Sequence, residues 1–103
     1  MLWHVVKFRL HPEISAVERT EFEQLLAGLA GQIPSLRFVR VAASIDESDV
    51  VGLLTGFDDV AGLEAYKVHA AHVPVIERTR EIATEVVRLD VETPDPSDAL
   101  PLT

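Results

Sequence analysis

Residues 36–57 read LRFVRVAASIDESDVVGLLTGF, and the division of this stretch decides the fold. Two runs rich in β-branched and apolar side chains, Leu36–Ala43 and Val50–Phe57, flank SIDESD, whose serines and carboxylates favour a turn. So short a connection cannot house the crossover that parallel neighbours require, so the two runs are expected to pair as antiparallel strands. The second run is apolar on both faces, a property that returns below.

Upstream, Leu2–Leu10 (LWHVVKFRL) reads as a strand with His4, Val6, Phe8 and Leu10 on one face. Trp3, Val5, Lys7 and Arg9 take the other. His11 and Pro12 end the strand, and Ser15 with Glu18 three residues on is a capping box that opens a helix. Phe22, Leu25, Leu26 and Leu29 keep the helical period to about Ala30, where Gly31 supplies the stop. Downstream, Asp58 or Asp59 caps a second helix beginning near Val60. Pro74 starts a new turn, and a third short helix is expected over Val75–Thr84. The last strand, Glu85–Glu92 (EVVRLDVE), alternates, with Val87, Leu89 and Val91 expected inward and Arg88, Asp90 and Glu92 outward.

The element order is therefore β-α-β-β-α-β, an α+β ferredoxin-like arrangement of four antiparallel strands with helices on one face. Residues 1–92 form this domain, and residues 93–103 (TPDPSDALPLT) are expected to be an acidic, proline-bearing arm that Leu100 and Leu102 could dock. One face of the sheet is left bare. Each large apolar side chain left in water forgoes about 1.5–3 kcal/mol of burial. Strands apolar on both sides thus call for a cover, and the economical one is a second copy packed sheet to sheet by two-fold symmetry. A homodimer is expected.

The composition excludes several classes. A chain of 103 residues with 48% hydrophobic and 25% charged residues is ordinary for one globular domain, without an apolar run able to span a bilayer. A net charge of −8 with nine Lys and Arg argues against nucleic-acid binding, since no basic stripe exists to follow phosphates. The absence of cysteine removes disulfides, thiol nucleophiles and cysteine-held zinc. MLWHVVKFRL lacks the features of a secretory signal, so the expected location is cytoplasmic. Phosphate loops, dinucleotide fingerprints, Gly-x-Ser-x-Gly and His-Glu-x-x-His are missing, which leaves kinase, dehydrogenase and hydrolase readings without support.

The densest group of titratable side chains lies in Gly62–Pro74, GLEAYKVHAAHVP. On a continuous helix, steps of three residues return each side chain by about 60°, so Tyr66, His69 and His72 share one side. Two readings fit: satisfied core groups, or a proton-handling cluster facing a cavity. His4 carries the same two readings on its strand. A metal held by His4, His69 and His72 is possible by imidazole chemistry, but no carboxylate completes the set and none is expected. Asp46, Glu47 and Asp49 lack the ordered spacing of a calcium loop and read as a solvated turn. Arg78 and Arg80, with Lys7 and Arg9, could meet an anionic ligand or pair with surface carboxylates.

His4 leading HVVKFRL, the segment GQIPSLR after the first helix, and GFDDVAGLEAYKVHAAHVPVIE resemble the stress-responsive dimeric α/β barrel family, over about Leu2 to Val91. That resemblance implies a ferredoxin-like subunit that dimerises into a barrel with a small-molecule cavity between sheet and helices. Its polyketide-cyclase-like members imply an acid–base pair at Tyr66 and His72, with His4, His69, Val6 and Phe8 as substrate-binding neighbours and no cofactor. Ala70 stands where many relatives carry proline, which leaves the direction of His72 open. The family also implies two alternatives, a non-catalytic binding or assembly module and a monooxygenase-like or haem-binding barrel with His72 or His69 as axial ligand.

Overall fold

The computed structural model describes residues 1–94, so the predicted arm lies outside the description from residue 95 on. Along the chain run β1 (Leu2–Leu10), α1 (Ala16–Ala27), β2 (Phe38–Ala43), β3 (Val50–Phe57), α2 (Val60–Val68), a single 3₁₀ turn (Ala70–His72), α3 (Val73–Ile82) and β4 (Ala83–Glu92). The strands form one antiparallel sheet in the order β2-β3-β1-β4. This is the ferredoxin-like β-α-β-β-α-β fold.

The register follows from side-chain chemistry. Val6 sits opposite Leu53 of β3 and Phe8 opposite Val51, so the apolar rows of the two central strands coincide. Phe22 and Leu26 of α1 close over them, and the Phe8 and Phe22 rings meet edge to face at 5.2 Å. A buried Thr55 hydroxyl donates to the His4 carbonyl at 2.7 Å, which satisfies the polar atom it brings inside. Ser15 and Glu18 form the predicted capping box at the start of α1. Asp59 accepts from the Gly62 N–H and caps α2.

Several boundaries differ from expectation. Helix α1 stops at Ala27, with Gly28 as its cap, three residues before the predicted end. Gly31 instead sits inside the following turn at φ 77°, a conformation that glycine adopts without steric cost, and the turn still buries Leu29 and Ile33. Strand β2 begins at Phe38 rather than Leu36, and α3 and β4 each begin two residues earlier than predicted. Val73 is helical although it precedes proline, because the helix starts there and Pro74 falls in its first turn, where no N–H is needed.

The largest correction concerns β4. Asp90 sits opposite His4 and Arg88 opposite Val6, so Arg88, Asp90 and Glu92 share the helix side of the sheet. Val87, Leu89 and Val91 point to the other side, where they are 49%, 58% and 39% exposed. The expected inward and outward rows are exchanged. The physical reason is coverage: α2 packs on β1 and β3 and α1 on β2, which leaves space over β4 where its inner row needs no apolar cover. The apolar row of β4 instead extends the outer face that Trp3, Val5 and Leu54 begin.

Candidate functional site

The space over β4 is a cleft of about 620 Å³ between the inner face of β1 and β4 and the segment from Tyr66 through α3. Its apolar walls are Val6, Phe8 and Leu53 from the sheet, Val75 and Ile76 from α3, and Val86 from β4. His4, Tyr66 and His72 form one polar part of its lining, and Lys67, Arg80, Glu85 and Arg88 bring charge to it. Of the predicted substrate-binding residues, His4, Val6 and Phe8 therefore lie on this wall.

His69 does not. Helix α2 ends at Val68, and His69 has extended backbone (φ −69°, ψ 141°) in place of a further helical turn. Its Nδ1 accepts from the Ala71 N–H at 3.0 Å and so caps the 3₁₀ turn. One helix thus does not carry the three aligned groups that the spacing predicts. The break turns His69 away and keeps His72 against Tyr66, with ring centroids 4.3 Å apart and planes inclined by 36°. The set His4, His69 and His72 is not assembled.

Each remaining group has a distinct state. Tyr66 is 1% exposed, packed against Phe57 at 5.2 Å, and burial pushes its phenol up to about 12. It stays protonated and can only donate or accept hydrogen bonds at neutral pH. Among the described residues no side chain or carbonyl takes its hydroxyl, and the residue lines the cleft, so the O–H is available to a ligand. His72 is held below the ordinary histidine range, first by desolvation and then by the electrostatic influence of His4 and Arg88, against a hydrogen bond to the Lys67 carbonyl. That bond, Nδ1 to the Lys67 carbonyl at 3.3 Å, decides the tautomer, because a carbonyl only accepts. Nδ1 carries the proton and Nε2 the lone pair.

Asp90, expected outward, is the residue that sequence reasoning missed. Its carboxylate accepts from His4 Nδ1 across β1 and β4. The carboxylate orients the imidazole and leaves Nε2 as the basic nitrogen. The signal was present in the alternation of EVVRLDVE, but its phase is set by which face the helices leave uncovered. The basic end of β1 is tied up: Arg9 grips Asp49 with two bonds of 2.9 and 3.0 Å and Glu47 at 2.7 Å, and Lys7 reaches Glu47 at 3.3 Å. The acidic turn therefore anchors the basic end of β1. Among the described residues no helix is long and apolar enough to cross a membrane.

The sequence matches the family model described as the stress responsive A/B barrel domain over residues 2–93. No curated protein matches. Among solved structures, a dimeric ferredoxin-like protein of unknown function from Jannaschia sp. CCS1 is similar at 28% identity and a TM-score of 0.76, over 89% of this chain and 98% of that one. A dimeric protein of unknown function from Bacteroides fragilis superposes with a TM-score of 0.77 at 21% identity, over 89% and 95% of the two chains. The protein At3g17210 from Arabidopsis thaliana reaches a TM-score of 0.82 at 15% identity, over 92% and 97%. The match across nearly the whole described domain, with the ferredoxin-like sheet and its topology, means that this chain belongs to the stress responsive A/B barrel domain family.

Proposed function

We propose that the protein is a homodimer whose cleft binds a small, oxygenated, largely apolar molecule and catalyses proton transfer next to a carbonyl. Reactions of this kind include cyclisation, elimination and isomerisation. The observation that carries the reading is the Tyr66–His72 pair, a protonated phenol and a neutral imidazole 4.3 Å apart on the wall of a 620 Å³ cleft. An ordinary core seldom keeps such a pair beside open space.

The chemistry follows from the states of the groups. His72 Nε2 removes a proton from a carbon between two carbonyls, and the electron pair moves into the enolate. The Tyr66 O–H steadies the enolate oxygen. For a cyclisation, the enolate carbon then bonds to a second carbonyl carbon of the same molecule, whose oxygen takes the proton back from His72. The charged imidazolium lies against the Tyr66 ring, within the range at which an aromatic face attracts a cation. His4, oriented by Asp90, holds a ligand oxygen or relays the proton, and Val6 and Phe8 pack the apolar body. No metal or organic cofactor is needed for these steps.

Dimerisation supports the reading through the exposed row Val87, Leu89 and Val91, which a two-fold partner would cover. The Jannaschia relative is itself described as dimeric. The test is a screen of β-dicarbonyl and polyketide-type compounds with wild type, His72→Ala and Tyr66→Phe. Turnover is expected to fall by about 10²–10⁴-fold on loss of the base and about 10²–10³-fold on loss of the donor. Unchanged turnover and affinity in both variants would leave the pair structural and the protein a non-catalytic module.

A further inference from the structure

The charge around the cleft is opposite to that of the chain. The protein carries 17 Asp and Glu against nine Lys and Arg, yet Lys67, Arg80 and Arg88 line the cleft with Glu85 as the one carboxylate beside them. Glu85 already faces Arg9 at 3.8 Å, and the nearby Asp90 is held by His4. The cations other than Arg80 and Arg88, Lys67 of the cleft included, are satisfied. Lys7, Arg9, Arg19, Arg37, Lys67 and Arg78 all pair with carboxylates, and Arg40 lies over the Phe38 ring at 4.7 Å. Among the described residues, Arg40, Arg80 and Arg88 are the arginines left without a carboxylate; Arg40 has the Phe38 ring instead, and Arg80 and Arg88 both line the same cleft.

Resting on the reading of the cleft as a ligand site, we propose that its ligand is an acid, whose carboxylate is held by Arg80 and Arg88 while its apolar body lies against Val6, Phe8, Val75 and Val86. A surplus of acidic side chains makes two unpaired guanidinium groups at one concave site a specific arrangement rather than a shortage of partners. Guanidinium groups match the planar, two-oxygen geometry of a carboxylate. Arg88 faces inward from β4 opposite Val6, so an acid held there extends its chain toward His4 and the Tyr66–His72 pair. The anion also neutralises the positive charge that Arg88 places near His72, so binding of an acid strengthens the base that acts on it.

Matched acid and amide pairs test this: octanoate against octanamide, and para-butylbenzoate against para-butylbenzamide, titrated calorimetrically at neutral pH and low salt. The acids are expected to bind about tenfold or more tightly than their amides, as charge-assisted hydrogen bonds predict. The preference is expected to collapse in Arg80→Gln and Arg88→Gln, to be partly kept in Arg88→Lys, and to persist in Arg40→Gln. It should also shrink as salt is added, a readout in wild type that does not depend on any variant folding. Saturation with octanoate should move the His72 protonation midpoint upward by NMR, and octanamide should not. Equal binding of acids and amides overturns the carboxylate site and leaves the cleft reading intact. Binding of neither in wild type overturns both.

Discussion

His4 and Asp90 are 86 residues apart in sequence and bonded to each other across β1 and β4, the imidazole donating through Nδ1 to the carboxylate. His4 is almost fully buried, so its ring nitrogen has no water to replace that partner. Nitrogen NMR of the imidazole is expected to show the Nδ1-protonated tautomer in wild type. Asp90→Ala should give mixed tautomers and lower stability by about 1–3 kcal/mol, the cost of leaving a buried polar group unpaired. An unchanged tautomer ratio would contradict the pairing.

Tyr66 is the chain's single tyrosine, so its ionisation can be followed by ultraviolet absorbance without overlap from another phenol. The folded protein is expected to titrate near 12 rather than near 10. The folded value lies above the unfolded one, so this contribution to stability is complete below about pH 10 and is lost as the pH rises toward 12. Tyr66→Phe keeps the packing on Phe57 and should cost little stability, whereas Tyr66→Ala should cost about 3–5 kcal/mol, as for other buried aromatic rings. A phenol titrating at its ordinary value would place the ring in water.

His72 is expected to protonate below the ordinary histidine value of 6.5. In the interval between its folded and unfolded midpoints the unfolded chain binds more protons, so stability rises with pH there and falls as the solution is acidified through it. Arg88→Gln removes one like charge and should move the His72 midpoint upward by proton NMR, without reaching an unperturbed value because desolvation remains the first cause. Catalysis that uses neutral His72 should rise with pH through the same midpoint and then level off.

Leu89 is the most exposed of the apolar side chains on the outer row of β4. If the proposed two-fold packing through this row forms, wild type sediments as a dimer and Leu89→Glu as a monomer, since the same carboxylate would enter the interface twice. Its far-ultraviolet circular dichroism should be unchanged, because the side chain makes no part of the buried core. A dimer of undiminished strength would move the interface elsewhere.

The element order was legible because local chemistry settles it. Ser15 and Glu18 cap α1, Asp59 caps α2, and SIDESD turns β2 into β3, all through neighbours within a few residues. The core row of β1 was legible for the same reason, since a period of two is a property of one strand, whereas β3, apolar on both faces, shows no such alternation. The end of α1 was less so: Gly31 was read as the stop, but the helix ends at Ala27 with Gly28 as its cap, and the turn that follows buries Leu29 and Ile33.

The site was only half legible. The family resemblance was needed to name Tyr66, His72, His4, Val6 and Phe8 together, since their positions alone left core and cavity readings open; all five line one cleft. His69 was grouped with them by helical period, yet its side chain caps a turn, a choice made where α2 gives way to α3.

From the sequence alone came the strands, the helices, their order and the sheet with one uncovered face, because these rest on contacts within a segment and on counting apolar rows. The tertiary structure alone decided the phase of β4. An alternating strand can present either row to the helices with equal local energy, and only the pairing with β1 and the space left beside α3 settle which row does so. That decision carries Asp90 to His4 and Arg88 to the cleft, and sends Val87, Leu89 and Val91 to the outer face.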